Sequence, residues 1–193
     1  MSALAQSRNR MTPEEFFAWE NEQPDRHEFI DGEIYAMTGG TLFHNEIVGN
    51  LVASLRSRLL PRGCRIFQEN VKVLVGTDSF YPDVVVQCRP RDGTSYVATH
   101  PVLLAEVFSK KTMQYDQSAK WPIYQRIPSL QTFLFVAQDK LMVQLYRRRG
   151  AEWAYTNHTD LADILELSEP ALTLPVRELY AGIDGIDPAL PPA

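Results

Sequence analysis

The run Pro101–Phe108, PVLLAEVF, constrains the fold of this 193-residue chain more than any other segment. An apolar stretch of strand length that does not alternate with polar residues is what a central strand covered on both faces requires. The chain must therefore build a sheet with packing layers on either side. Glu106 alone interrupts the run, and a carboxylate on such a strand costs several kcal/mol unless a cation or hydrogen bonds compensate it. The strand thus predicts a buried partner for Glu106.

The rest of the chain supplies the other elements. Thr12-Pro13-Glu14-Glu15 carries an N-cap residue, a proline at the first helical position and a capping-box glutamate, so a short helix begins there. Asp31-Gly32 between alternating residues predicts a hairpin with strands near 26–30 and 33–37. After Gly39-Gly40, the spacing of Phe43, Ile47, Leu51, Leu55 and Leu59 predicts a long amphipathic helix up to Pro61. The period then changes to two. CRIFQENVKVLVG and SFYPDVVVQC read as two strands joined by the Gly76–Ser79 turn, and SLQTFLFVAQ as another beyond the central run. Asp116 can cap a helix through YQRIP, where Pro122 demands a kink or a late start. KLMVQLYRRRG and EWAYTN form a hairpin. The last 24 residues hold five of the 13 prolines, and they are expected to wrap the surface around a short ELYAG turn. This order predicts an α/β (α+β) fold with a mixed central sheet flanked by helices, as one domain over 1–182 and a Pro-rich tail over 183–193.

Composition narrows the class. The average hydrophobic share of 45% fits a globular domain, and no apolar run approaches the roughly 20 residues of a spanning helix. The start MSALAQSRNRM lacks the apolar core of a signal peptide, so a cytoplasmic location is expected. Cys64 and Cys88, with neither CxxC nor Cys/His spacing, are expected as buried free thiols. The net charge of −5 argues against a wholly basic nucleic-acid coat, but it is unevenly spread. Residues 1–55 hold nine acids and three bases, 56–149 hold seven acids and fifteen bases, and 150–193 hold eight acids and one base. A basic middle segment is compatible with a local anion-binding face, and equally with a mixed solvated surface.

Several acids could carry chemistry. Asp83 heads the apolar Val84-Val85-Val86 run much as Glu106 sits in its own. Two acids on adjacent core strands form a hard-oxygen pair suited to Mg²⁺ or Mn²⁺. A structural carboxylate that caps backbone or pairs with an arginine is the competing account of each. Alternation puts Glu69 on the side of Phe67 and Val71, although a strand end would expose it. Glu28 alternates opposite Phe29 and reads as a solvent-side residue. Among the lysines, Lys110 and Lys111 read as surface residues, whereas Lys120 lies on the helix that packs back across the end of the central strand. A lysine there could hold an attacking water beside a phosphodiester. His44 at the start of the long helix reads as structural or as an anion contact. The Arg147–Arg149 run is a hairpin end open to phosphate. Ser109 lacks a histidine partner, and no Walker or dinucleotide motif is present.

HEFIDGEIYAMTGGTLFHNEIVGNL, FQENVKVLV, YPDVVVQC, PVLLAEVFSKKTMQYDQSAKWPIYQRIPSLQTFLFV and ELYAG, in that order and spacing, resemble the Uma-two family of restriction endonuclease-like proteins. The resemblance covers nearly the whole chain. It implies the PD-(D/E)XK nuclease fold, a mixed sheet flanked by helices, with Asp83 and Glu106 as metal ligands. It also implies that Glu28 is the family's early acid and Lys120 its helix-borne lysine. The chain departs from the common nuclease pattern at Phe108, where a lysine usually follows the second acid, so that role passes to Lys120. It also has Phe108-Ser109-Lys110-Lys111-Thr112 where the family usually reads Leu-Ser-Pro-Ser-Thr. The resemblance implies a Mg²⁺- or Mn²⁺-dependent endonuclease acting on DNA, of a kind that commonly forms a homodimer. The alternatives are a catalytically weak or inactive nuclease-fold module that binds nucleic acid or protein, and an oligomeric component of a defence or mobile-element system.

Overall fold

The computed structural model describes residues 11–37, 39–90, 92–110, 113 and 116–186. Lys111 and the last seven residues of the Pro-rich tail lie outside the described residues. Helix α1 (Pro13–Glu20) starts in the expected capping box: the Thr12 side chain accepts from the Glu15 N–H and Glu15 accepts from the Thr12 N–H. Strands β1 (His27–Ile30) and β2 (Glu33–Ala36) pair antiparallel about Asp31-Gly32. Both turn residues have positive φ, 50° and 81°, the backbone that an Asp-Gly hairpin turn needs. Helix α2 (Leu42–Leu59) is the long helix, with Ile47, Val48, Leu51, Leu55 and Leu59 buried along one face.

The two strands expected next are four. CRIFQENVKVLVG breaks into β3 (Arg65–Gln68) and β4 (Val73–Val75) at Glu69, whose φ is 56°. SFYPDVVVQC breaks into β5 (Asp78–Phe80) and β6 (Val84–Gln87) at Tyr81-Pro82-Asp83, where proline has no N–H to give a ladder. Both breaks carry the chain from one sheet to the other. Asp83 therefore stands at a corner between two sheets, not inside a strand.

The central run forms β7 (Pro101–Phe108), followed by β8 (Thr132–Ala137), β9 (Val143–Arg149) and β10 (Glu152–His158). The main sheet has six strands in the order β10-β9-β8-β7-β6-β3, and the second has four in the order β2-β1-β5-β4. Only β7 and β8 run parallel among the paired strands, so the main sheet is mixed. The parallel crossover contains a π turn (Asp116–Lys120) and helix α3 (Trp121–Tyr124). Pro122 falls in the first turn of α3, so the helix starts late and needs no kink. One face of the main sheet packs Leu103, Ala105 and Val107 against α2, and the other packs Leu104 and Phe108 against Tyr124, Phe133 and Phe135.

Cys64 and Cys88 are not free thiols but form a disulfide. The β3–β6 register of Arg65↔Gln87 brings the residues flanking it directly together, a long-range pairing that spacing alone does not reveal. Closing a loop of 24 residues is worth about 3 kcal/mol in the chain-entropy account. Reduction, or Cys88→Ser, should lower stability by about that amount, as read by denaturant melts with and without reductant. The region before the last residues does not simply wrap the surface. Strands β11 (Ile164–Leu167) and β12 (Leu172–Pro175) form a hairpin, and α4 (Val176–Leu179) follows. Leu165, Leu174, Val176, Leu179, Tyr180 and Ile183 are all fully buried in the α2 core.

Arg58 of α2 and Glu178 of α4 lock these helices at 2.6 Å. That hydrogen bond lowers the Glu178 pKa against a smaller opposing effect of burial, with Ser54 and the Arg58 charge assisting. A depressed carboxylate contributes stability above its unfolded pKa and loses it as pH falls through the folded value. Glu178→Gln should therefore lower Tm at neutral pH and leave it unchanged once the solution is acid enough to protonate the native carboxylate. No helix among the described residues is long and apolar enough to cross a membrane.

Candidate active site

Glu106 has the partners that its burial demands. It is 4% exposed, and its Oε1 accepts from the Tyr124 hydroxyl at 2.7 Å and from Lys120 Nζ at 3.4 Å. Lys120 Nζ also lies 3.0 Å from Glu28 Oε1. Lys120 and Glu28 are 7% and 5% exposed, so the ammonium sits between two carboxylates away from bulk water. The π turn and α3 present Lys120 and Tyr124, four residues apart, to the same carboxylate.

Glu28 is not the solvent-side residue that alternation predicts. The last three residues of β1 are all buried because packing covers both faces of this short strand. Its Oε1 also accepts from the Tyr81 N–H at 3.3 Å, just before the corner that carries Asp83. Three of the four expected site residues, Glu28, Glu106 and Lys120, thus meet in one cluster. Phe108 is buried in the core at 1% exposure, and Lys120 arrives from another element of the chain.

Asp83 adjoins this cluster through the β6–β7 ladder. Continuing the Val84↔Ala105 register by one residue sets it across from Glu106. Its Oδ2 accepts from the Val107 N–H at 2.6 Å, and its Oδ1 lies 3.4 Å from His44 Nε2. His44 is fixed through Nδ1, 3.1 Å from the Val107 carbonyl oxygen. Burial opposes the imidazolium, but the Asp83 hydrogen bond and charge, with smaller help from Glu69 and the Val107 carbonyl, raise the His44 pKa above its ordinary value. Gly40 makes room for this ring, since a Cβ there would come within 2.5 Å of His44 Cδ2. His44 is thus a neighbour of Asp83 that helix-start position alone could not establish, and the glycine four residues earlier is its sequence signal.

Mg²⁺ takes one or two carboxylates and fills its remaining positions with water and phosphate oxygens. Asp83, one residue before β6, and Glu106 on β7 carry hard carboxylate oxygens of that kind. Among the described residues no group of three or more His, Cys, Asp or Glu side chains gathers into a larger metal-holding set.

Glu69 follows β3, half-buried, and its N–H donates to the Asp83 carbonyl, so it braces the corner rather than lining an apolar face. Lys110 is exposed, with its N–H donating to Asp139. In the arginine run, Arg147 and Arg148 donate to backbone carbonyls, leaving Arg149 exposed. Sequence reasoning missed a second buried ion pair, Lys72 with Glu20 at 2.5 Å, joined by the Tyr81 hydroxyl at 2.7 Å from Glu20. Burial and that hydrogen bond raise the Tyr81 pKa.

A mixed sheet flanked by helices, with acids at a strand corner and on the central strand, defines a restriction endonuclease-like fold. A crystal structure from Anabaena variabilis ATCC 29413, described as "a putative nuclease belonging to DUF820", superposes with a TM-score of 0.72 at 20% identity. The match covers 88% of this chain and 97% of that one. Residues 13–177 match the Uma2 family, "Putative restriction endonuclease", and the chain belongs to that family. Two uncharacterized proteins of Synechocystis sp. (strain ATCC 27184 / PCC 6803 / Kazusa) are similar along most of their length. Protein slr1290 is 35% identical over 90% of this chain and 93% of its own, and sll1609 is 32% identical over 76% and 86%.

Proposed function

We propose that this protein is a Mg²⁺- or Mn²⁺-dependent endonuclease that hydrolyses DNA phosphodiester bonds. The single observation that carries the reading is Lys120, held 3.0 Å from Glu28 and 3.4 Å from Glu106 beside the corner of Asp83. Asp83 and Glu106 would hold the cation. When bound, that cation supplies Lewis-acid charge to the phosphoryl oxygen and favours deprotonation of water. Lys120 donates hydrogen bonds where an attacking water or a developing phosphorane oxygen would lie, offsetting negative charge in a site shielded from solvent. Glu28 is a second carboxylate on the same ammonium, able to orient that water. The Tyr124 hydroxyl fixes the Glu106 carboxylate, and the Val107 N–H with His44 fixes that of Asp83. A homodimer would bring two such sites to the two strands of a duplex.

A second reading is favoured by the same contacts together with Phe108. If Lys120 serves only to neutralise Glu28 and Glu106, the chain is a nuclease-fold module that binds nucleic acid or protein without cutting. Calorimetric titration with Mn²⁺ separates the two. The nuclease reading expects saturable binding by the wild type, lost in Asp83→Ala and in Glu106→Ala while both keep native circular dichroism. Absence of binding by the wild type, or undiminished binding by either variant, contradicts it.

A further inference from the structure

The face of the main sheet that carries Glu106 continues beyond the site in a direction that metal binding and water activation leave unused. The ladder registers set Glu106 opposite Phe135, Phe135 opposite Gln144, and Gln144 opposite Asn157. Residues paired in this way project from the same face. The neighbouring row runs Leu104, Phe133, Tyr146, Tyr155. At a strand separation of about 4.8 Å, Asn157 lies roughly 14 Å from Glu106 across the sheet. That spans about four nucleotides at the 3.4 Å rise per nucleotide of a stacked strand.

The chemistry of this face changes along the rows. Next to the site, Trp121 follows Lys120 in the chain and covers the sheet, its ring 4.9 Å from Phe133 and 4.4 Å from Tyr146. Gln117 of the π turn donates to Gln144 at 2.8 Å. Farther out this cover ends. Tyr155 lies 5.0 Å from Tyr146 and is 49% exposed, and Asn157 beside it is exposed on β10, the edge of the sheet. An apolar floor thus gives way to an open aromatic ring in the Leu104 row, with the amides of Gln144 and Asn157 beside it in the row of the central carboxylate. Aromatic faces accept any base by stacking, and amides can pair with base edges.

We propose that Tyr155, with Asn157 and Gln144 beside it, is a stacking platform that binds a single-stranded DNA segment flanking the phosphate to be cut. The substrate class rests on the nuclease reading; the position of the platform rests on the register. Arg148, a cation beside this part of the face, is 4.4 Å over Trp153 and already donates to the carbonyls of Leu130, Gln125 and Ile127. The platform therefore holds bases more than phosphates, and the affinity lost on its removal should depend little on salt.

The test is fluorescence anisotropy of a short labelled oligodeoxythymidylate with the full chain in EDTA, so that binding is read without turnover. Tyr155→Ala should weaken binding about tenfold, within the range for losing one base stack, while Tyr155→Phe stays close to the wild type. Asn157→Ala should weaken it by a smaller factor, and all three should melt like the wild type. In cleavage assays of the same strand with Mg²⁺, Tyr155→Ala should raise KM and leave kcat unchanged. A wild type that does not bind the strand, or Tyr155→Ala and Asn157→Ala variants that bind it equally well, overturns the platform. Weakened binding by Tyr155→Ala in a protein that never cleaves supports the platform and rejects the nuclease reading. Cleavage with unchanged KM in both variants does the reverse.

Discussion

Lys120→Ala should lower the stability of the protein by about 3–5 kcal/mol, the usual cost of removing one partner from a buried charge pair. The magnitude follows from what is left behind: Glu28 and Glu106, 5% and 4% exposed, would lie buried without the ammonium between them. Tyr124 still donates to Glu106 and the Tyr81 N–H to Glu28, so the site retains some compensation. Urea denaturation reads the loss as a fall in midpoint at constant slope. The double variant Lys120→Met with Glu28→Gln removes one negative charge together with the positive one and should recover part of the loss. An unchanged midpoint for Lys120→Ala would mean that water reaches both carboxylates, and the burial argument would fail. Under the nuclease reading the same variant loses most turnover, whereas Lys110, whose side chain is exposed, can be replaced with little effect.

Lys72→Ala should cost a similar amount, about 3–5 kcal/mol, at a site outside the Glu106 cluster. Glu20 closes α1 at 1% exposure, so without Lys72 Nζ it would keep only the Tyr81 hydroxyl at 2.7 Å and a long approach of 3.4 Å from the His27 N–H. Lys72 Nζ also lies 5.2 Å over the Phe17 ring and 5.7 Å over that of Tyr81, and the substitution removes both cation–π attractions. Pairing Lys72→Met with Glu20→Gln should restore much of the stability, because a neutral amide can still accept from the Tyr81 hydroxyl. If the single variant is as stable as the wild type, the Glu20–Lys72 pair is only a surface contact.

The central strand was legible because an eight-residue apolar run broken only by Glu106 has few other uses, and Glu106 inside it required a partner on energetic grounds. Local signals also placed the Thr12 cap, the Asp31-Gly32 hairpin and the α2 stripe. What was not legible was long-range. The apolar pattern continues across Tyr81-Pro82-Asp83, which hides the change of sheet that puts Asp83 at a corner. Glu28 looked solvent-facing because alternation presumes one wet face, and β1 has none. The Cys64–Cys88 disulfide depends on the β3–β6 register, and the Glu20–Lys72 pair joins the first helix to a strand edge. Prolines obscured the C-terminal hairpin, although Leu165, Leu174 and Leu179 fill the core beneath α2. Lys120 was legible from its place on the helix that follows the central strand, Glu28 entered as a site residue through the family resemblance, and the structure brings both together with Glu106.

The most direct measurement of the central claim is the initial rate of cleavage of supercoiled plasmid DNA by the full chain in Mg²⁺ or Mn²⁺, compared with Glu106→Gln. The glutamine keeps the shape of the side chain and removes its charge. EDTA should abolish cleavage, and Glu106→Gln should reduce it by a factor of about 10²–10³ or more, the range for losing one electrostatic stabiliser of the transition state. Cleavage by Glu106→Gln at the wild-type rate, or a wild type that leaves DNA intact with either cation, would contradict the claim.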